Sequence, residues 1–165
     1  MSDKPVVGVV MGSDSDLQVM TKCLEKLESF GLGYEVRIIS AHRTPDIAHE
    51  WAATARDRGL KVIIAAAGMS AALSGAIAAV TTLPVIGVPM VSGPLAGMDA
   101  ALSTMQLPPG IPVGTMAIGS AGAQNAAIYA ATIIGASCPK MAEKLANFKK
   151  EMAEKVIAKD SALQR

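Results

Sequence analysis

The sequence lacks a marked excess of either positive or negative charge and contains almost no cysteine. It carries 15 basic and 14 acidic side chains, so its formal net charge is +1. No basic surface for nucleic acid or an anionic membrane is therefore expected. Cys23 and Cys138 lie far apart without metal-ligand spacing, and we interpret them as reduced, buried thiols of a cytoplasmic protein. Residues 1–10 do not resemble a secretory signal.

Charged residues are almost absent from one half of the chain. Between Lys61 and Lys140 the only charged residue is Asp99. Glycine and proline interrupt this segment every few residues, so it contains no run of about 20 apolar residues that could span a membrane. Because a monomer needs polar surface, we expect other copies of the chain to cover much of this segment.

Apolar segments alternate with stretches of helical periodicity along the chain. The apolar segments predict five buried strands, at residues 6–11, 34–39, 62–66, 84–88 and 112–118. Periodicity and end signals predict helices at residues 16–30, 45–58, 68–80, 99–106, 123–135 and 139–160, with Asp99 as an N-cap. This order predicts one domain over residues 1–165 with a core at about 5–136. Its fold class is a three-layer α/β/α flavodoxin-like parallel sheet with an extra C-terminal helix.

The C-terminal helix is expected to have one apolar face. Met141, Leu145, Phe148, Met152 and Val156 recur at helical spacing, and the opposite face is charged. This helix lies beyond the five-stranded core, so its apolar stripe could be buried against a neighbouring subunit.

The first strand-to-helix loop, MGSDSD at residues 11–16, could bind an anion. A helix start favours phosphate, and Ser13 and Ser15 add hydroxyl donors. Asp16 would repel phosphate but could accept hydrogen bonds from ribose hydroxyls. The loop contains neither the GK[ST] phosphate loop nor the dinucleotide fingerprint. Helix capping alone would also explain its serine and aspartate residues.

The second loop, SAHRTP at residues 40–45, carries one of only two histidines in the chain. Thr44 is predicted to cap a helix whose first turn contains Pro45. His42 and Arg43 are thus presented at the carboxyl end of a strand, where parallel sheets bind ligands. Histidine moves protons near neutral pH, and arginine suits phosphate. The alternative is a pair of solvated surface side chains.

The third loop, at residues 66–75, has almost no side chains. Such a segment lets the backbone approach a ligand closely, although tight helix packing would explain the composition equally well. Because neighbouring strands would bring the three loops together, the expected ligand is a small ribose phosphate with a group that needs proton transfer. His49, two turns beyond His42, is interpreted as a surface residue, and no metal site is expected.

These motifs resemble those of the phosphoribosylaminoimidazole carboxylase catalytic subunit family, which includes N5-carboxyaminoimidazole ribonucleotide mutases. The resemblance rests on MGSDSD, SAHRTP, AAGMSAALSG, LPVIGVP and MQLPPGIPVGTMAIGSAGAQNAA, in that order, and covers about residues 6–136. It implies a flavodoxin-like subunit in a homo-octamer, with active sites at subunit contacts and no metal or organic cofactor. It also implies a ribonucleotide and carbon dioxide as ligands in de novo purine biosynthesis.

The resemblance also implies roles for individual residues. Ser13 and Arg43 match substrate-phosphate residues, Asp16 matches the ribose contact, and His42 matches the general acid and base. The remaining residues expected to line the pocket are Ser15, Ser40, Gly68, Met69, Ser70, Ala72 and Leu73.

One position departs from the pattern of the mutases. They typically have a histidine in the third loop, where this chain has Ala72, and the loop here resembles that of relatives that carboxylate aminoimidazole ribonucleotide directly. Those relatives commonly have lysine where this chain has Arg43. Overall similarity therefore favours a mutase, and the loop favours a direct carboxylase. A catalytically idle ribotide-binding homologue and a carboxylase acting on a pyridine-type ring remain alternatives.

Overall fold

A five-stranded parallel sheet with strand order β2-β1-β3-β4-β5 forms the centre of the computed structural model, which describes residues 4–164. The strands are β1 (Val7–Met11), β2 (Tyr34–Ile38), β3 (Val62–Gly68), β4 (Val85–Met90) and β5 (Gly114–Thr115). The helices are α1 (Leu17–Phe30), α2 (Pro45–Ala53), α3 (Leu73–Ala78), α4 (Met98–Met105), α5 (Ser120–Gly135) and α6 (Pro139–Leu163). The predicted flavodoxin-like class is thus confirmed.

The core lies on both faces of the sheet because successive strand residues point in opposite directions. In β1, Val7, Val9 and Met11 pack with α1, α5 and the start of α6. Val10 faces the other way and packs with residues of α2 and α3. Strands covered on both faces can be apolar throughout, as β1 is.

The edge position of β2 corrects the prediction of a buried second strand. β2 pairs only with β1, and none of its five residues is fully buried. Ile38 at its end is 54% exposed. An edge strand tolerates the charged residues Glu35 and Arg37 that occur within it.

Three helices begin differently from the prediction: α3, α4 and α5, of which α5 begins at Ser120 rather than at residue 123. β3 continues to Gly68, and α3 begins only at Leu73, since Met69 adopts a left-handed conformation with φ 55°. In α4 the N-cap is Gly97, with φ 86°. Asp99 therefore lies in the first turn rather than at the cap, where its carboxylate still favours the helix dipole.

Other boundaries also shift. α2 ends at Ala53, and residues 54–59 form turns. Only Gly114 and Thr115 of the predicted fifth strand pair with β4 as a strand. At the end of α1, Gly31 adopts the expected left-handed C-cap with φ 70°.

The apolar stripe of α6 is buried over only part of its length. Met141 is 7% exposed, and the ring of Phe148 meets that of Phe30 edge to face at 5.4 Å. Lys144 fixes this half by donating from Nζ to the Phe30 carbonyl at 2.7 Å. Farther along, Val156 is 67% exposed, so the second half of the stripe has no cover within the described residues.

The two cysteines differ in burial. Cys23 is fully buried in α1, and burial raises the pKa of its thiol to about 12. Cys138 is only half-buried, contrary to the prediction. Neither cysteine is in a disulfide. Within residues 4–164, no helix combines the length and apolar character needed to cross a membrane.

Candidate active site

A cleft of about 540 Å³ opens at the carboxyl edge of the sheet, where the loops that follow β1, β2 and β3 meet. β1 lies between β2 and β3, so the strand order reverses beside it. Parallel sheets bind ligands at such a switch point. The eleven residues expected from the sequence all line this cleft: Ser13, Ser15, Asp16, Ser40, His42, Arg43, Gly68, Met69, Ser70, Ala72 and Leu73.

The first loop forms a short 3₁₀ turn at Asp14–Asp16 before α1 begins. The Ser15 hydroxyl donates to Ser13 Oγ at 2.9 Å, and the Ser13 hydroxyl donates to Asp14 Oδ1 at 3.1 Å. These hydroxyls are exposed, so both could turn toward an incoming anion.

Asp16 is a buried carboxylate at the edge of the cleft. It is 7% exposed and makes no capping hydrogen bond to α1. Burial raises its pKa above the ordinary value of 3.8, the charge of Asp14 raises it further, and a backbone hydrogen bond at Ser13 acts in the opposite direction. A carboxylate held in this way is suited to accept hydrogen bonds from ligand hydroxyls.

Replacing Asp16 by asparagine is expected to stabilise the empty protein at pH 7 and to weaken binding of a ligand with sugar hydroxyls, such as ribose 5-phosphate, roughly tenfold or more. Because the folded state raises the pKa of this acid, its favourable contribution is complete below pH 3.8 and is lost as the pH rises through the folded-state pKa. The gain in melting temperature should therefore be largest near neutral pH and shrink toward pH 4. Thermal melts across this range, with binding measured in parallel, test both effects. A gain in melting temperature that grows as the pH falls would contradict the raised pKa of Asp16.

Hydrogen bonds within the second loop fix the position of Arg43. Its backbone N–H and its Nε both donate to Ser40 Oγ, at 3.2 and 3.3 Å. Its Nη2 donates to the Gly12 carbonyl at 3.2 Å, which joins the second loop to the first. Arg43 lines the cleft, and no hydrogen bond to the described residues uses its Nη1. His42 is exposed, and its imidazole has no hydrogen-bond partner among the described residues.

Thr44 closes the loop that carries His42. It occupies the N-cap position of α2 as predicted, but its side chain makes no capping bond to the helix. Its hydroxyl instead donates to the Ser40 carbonyl at 3.0 Å and accepts from the Ser40 N–H at 3.0 Å. The backbone N–H of Thr44 donates to the same carbonyl at 2.8 Å. The hydroxyl thus holds the two ends of the loop together.

Replacing Thr44 by valine, which keeps the shape but removes the hydroxyl, is expected to lower kcat roughly tenfold, because the loop that carries His42 loses the hydroxyl bonds that hold its two ends together. Thr44→Ser should restore most of the rate. Thr132→Val serves as the control, since Thr132 makes a comparable hydroxyl bond to Ile128 in α5, outside the cleft. Steady-state kinetics of the three variants measure the effect. Equal rates for Thr44→Val and the wild type would show that this hydroxyl does not position the loop.

The third loop contributes backbone and small side chains. The left-handed Met69 turns the chain away from β3, and its side chain is 59% exposed. The amides of Ala71 and Ala72 donate to the carbonyls of Met69 and Ser70, at 2.9 and 2.7 Å. These two amides therefore donate within their own loop. The third loop thus offers a ligand fewer free backbone N–H groups than its sequence suggests.

Four cleft residues were not predicted from the sequence. Gly12, Ala41 and Ala67 lie next to predicted residues in the loops, whereas Ser92 follows the fourth strand. The signal that could have indicated Ser92 is its position, two residues beyond the end of β4, at the same edge of the sheet. His49 lies outside this cleft and is exposed, as expected. Residues 4–164 contain no group of three or more histidine, cysteine, aspartate or glutamate side chains that could hold a metal ion.

The fold and the cleft define a flavodoxin-like α/β/α protein with a polar ligand site at the switch point of its sheet. The AIR carboxylase family model matches residues 6–155. The chain belongs to this family.

Three similar proteins share a name. A Pyrococcus horikoshii protein named N5-carboxyaminoimidazole ribonucleotide mutase is 52% identical over 99% of this chain and 91% of its own length. The proteins of that name from Thermotoga maritima and Mycobacterium tuberculosis are each 48% identical, over 98% and 99% of this chain and 93% and 92% of their own lengths. The crystal structure of Treponema denticola PurE superposes with a TM-score of 0.88 at 32% identity, covering 98% of this chain and 100% of that one.

Proposed function

We propose that this protein is an N5-carboxyaminoimidazole ribonucleotide mutase of de novo purine biosynthesis, an isomerase that moves a carboxyl group from N5 to C4 of its substrate. The observation that carries the proposal is the identity of about half of all residues to mutases along nearly the whole length of both chains. The cleft supports it, since the loops of β1, β2 and β3 bring anion donors, a carboxylate and a histidine together.

Each end of the cleft has a distinct role in this reaction. Arg43 and Ser13 bind the substrate phosphate, because the guanidinium and hydroxyl donors converge there. Asp16 accepts hydrogen bonds from the ribose. Ser15 and Ser40 complete this end, and Gly68, Met69, Ser70, Ala72 and Leu73 surround the aminoimidazole.

His42 transfers two protons in sequence. As the bond between N5 and the carboxyl carbon breaks, carbon dioxide leaves and the nitrogen takes a proton from the imidazolium. C4 then attacks carbon dioxide to form the new carbon–carbon bond. The C4 proton passes to the imidazole, which restores the aromatic ring and the protonation state of His42, so no proton is consumed overall. Carbon dioxide held beside C4 reacts at a high effective concentration.

A direct carboxylase is the second candidate, because Ala72 lies in the cleft where mutases of the family typically have histidine. Such an enzyme would join carbon dioxide to aminoimidazole ribonucleotide without the N5-carboxylated intermediate. Its proton transfer would be limited to removal of the C4 proton.

The protein is further proposed to act as a cytoplasmic homo-octamer that needs no cofactor. A charge-poor face supports the assembly: the segment after β4 exposes apolar side chains at Val91, Leu95, Met98, Leu102 and Met105. The residues that follow β4 also reach the cleft through Ser92, so a second copy seated on this face would lie close to the site.

A paired assay on the purified protein tests the function. One sample receives N5-carboxyaminoimidazole ribonucleotide, and the other receives aminoimidazole ribonucleotide with bicarbonate at modest concentration. Ultraviolet absorbance follows formation of the C4-carboxylated product. Efficient turnover of only the carboxylated substrate is the expected result, and efficient turnover of only the second mixture would indicate the direct carboxylase. Binding of the product without turnover of either substrate would indicate an idle homologue.

A further inference from the structure

Ser92 reaches the cleft through a space that exists because residue 68 is glycine. Ser92 lies two residues beyond β4 and is half-buried, and its side chain packs over the Cα of Gly68, the last residue of β3. A methyl group at position 68 would overlap the Ser92 hydroxyl and would lie 2.9 Å from its Cβ. The absence of a side chain at Gly68 thus places a hydroxyl from the next strand at the cleft wall.

The Ser92 hydroxyl has no hydrogen-bond partner among the described residues. The hydroxyls of Ser13, Ser15 and Ser40, which line the same cleft, all take part in hydrogen bonds with neighbouring groups. The donor of the Ser92 hydroxyl is therefore not used by the protein itself. The Ser40 hydroxyl only accepts, from Arg43, and the Ser70 hydroxyl also has no partner among the described residues. Ser70 is exposed, whereas Ser92 is half-buried in the cleft wall. Such a donor is available to a ligand at little cost in lost protein contacts.

The two ends of the cleft differ in their polar groups. The end formed by the loops of β1 and β2 holds Arg43, Asp16 and the hydroxyls of Ser13 and Ser15. The end formed by β3 and β4 is lined by Ala67, Gly68, Met69, Ser70, Ala72, Leu73 and Ser92. Of these side chains, only Ser70 and Ser92 can donate a hydrogen bond from a hydroxyl.

The position of the phosphate determines which part of the substrate faces this second end. With the phosphate at Arg43 and the ribose at Asp16, the aminoimidazole and its carboxyl group extend toward β3 and β4. A carboxylate only accepts hydrogen bonds and therefore needs donors around it. The amides of Ala71 and Ala72 cannot serve, because they donate within their own loop.

Resting on the proposed function, we infer that Ser92 is a substrate-contacting residue whose hydroxyl donates a hydrogen bond to the carboxylate on the aminoimidazole ring, in the space that Gly68 leaves open. Ser92 would then hold the carboxyl group in place once it is on C4. It would make no contact with the phosphate or the ribose, and its contribution would be specific to carboxylated ligands.

Calorimetric binding of three ligands to the full-length protein and to Ser92→Ala tests the inference. The ligands are the C4-carboxylated ribonucleotide, aminoimidazole ribonucleotide and ribose 5-phosphate, which share the phosphate end but differ at the other. Ser92→Ala is expected to weaken binding of the carboxylated ligand roughly tenfold or more, since a hydrogen bond to a charged group is lost. The other two ligands should bind within about twofold of the wild type.

Ser103→Ala is the matched control, because Ser103 makes its hydroxyl bond to the Asp99 carbonyl in α4 and does not line the cleft. It should leave all three affinities unchanged. Equal loss for all three ligands in Ser92→Ala, or no loss for any, would overturn the inference. Loss for both aminoimidazole ligands alike would also overturn it, since the contact would then be to the ring.

Binding does not require turnover, so the two proposals can fail separately. A wild-type protein that converts the N5-carboxylated substrate, with unchanged ligand binding in Ser92→Ala, would refute the role of Ser92 alone. A protein that fails in the paired assay but shows the selective loss in Ser92→Ala would refute the mutase function and retain the carboxylate contact.

Discussion

Replacing His42 by asparagine is expected to lower kcat by roughly 100- to 10,000-fold while ribotide binding stays within about twofold. Asparagine preserves a polar side chain of similar reach but cannot take up or release a proton near neutral pH. The imidazole makes no hydrogen bond to the described residues and is exposed in the cleft, so its removal should not disturb the fold. Steady-state kinetics with the N5-carboxylated substrate and calorimetric binding of the C4-carboxylated product measure the two effects separately.

The other histidine provides the control for this variant. His49 lies in α2, the helix that follows the loop of His42, and it is exposed and outside the cleft, so His49→Asn should have wild-type kinetics. Normal turnover in His42→Asn would contradict a role of His42 in proton transfer. An equal loss of turnover in His49→Asn would show that the effect comes from a disturbance of α2 rather than from the imidazole in the cleft.

Replacing Arg43 by alanine is expected to raise KM roughly 100-fold, because the variant loses charge-assisted hydrogen bonds to the substrate phosphate. A smaller fall in kcat should accompany it, since Arg43 also joins the second loop to the Gly12 carbonyl. Kinetics over a wide substrate range separate the two parameters. Inhibition by ribose 5-phosphate should weaken to the same degree as substrate binding, because both ligands share the phosphate.

Two further variants make this test specific. Arg43→Lys keeps the charge but not the planar set of donors, so it should recover only part of the loss. Arg37→Ala removes an exposed arginine of β2 that lies outside the cleft, and it should leave KM unchanged. A normal KM in Arg43→Ala, or an equal rise in Arg37→Ala, would count against a phosphate contact at Arg43.

Much of the fold follows from local signals in the sequence. Apolar runs such as Val7–Met11 form strands buried on both faces, and Gly31 ends α1 in the left-handed conformation that glycine favours. The order of strands and helices then determines that the three loops meet at one edge of the sheet. The residue types in these loops already indicated an anion site, a ribose contact and a group for proton transfer, and the resemblance to a family completed the set of eleven pocket residues.

What the sequence could not predict depends on contacts between distant segments. Whether β2 lies at the edge or at the centre of the sheet is a property of the whole topology, and the apolar ends of this strand do not reveal it. Thr44 is a good N-cap by type, but its hydroxyl bonds to Ser40 because the loop brings the two residues together. Ser92 was missed because its relation to Gly68 exists only where β3 and β4 lie side by side.

The length of buried surface on α6 is a third case of this kind. The periodic stripe predicts an amphipathic helix over the whole segment, and the structure contains it. Only the first half meets α1 and α5, whereas Met152 and Val156 remain exposed. Periodicity gives the direction of an apolar face, but the extent of its cover depends on what lies opposite.

The most direct test of the proposed function follows the carboxyl group itself. Unlabelled N5-carboxyaminoimidazole ribonucleotide is converted by the enzyme in buffer that contains carbon-13 bicarbonate, and mass spectrometry measures the label in the C4-carboxylated product during the first turnovers. A mutase that keeps carbon dioxide beside C4 should give unlabelled product. Product labelled to the level of the surrounding bicarbonate would show that carbon dioxide enters from solution, and would contradict transfer within the cleft.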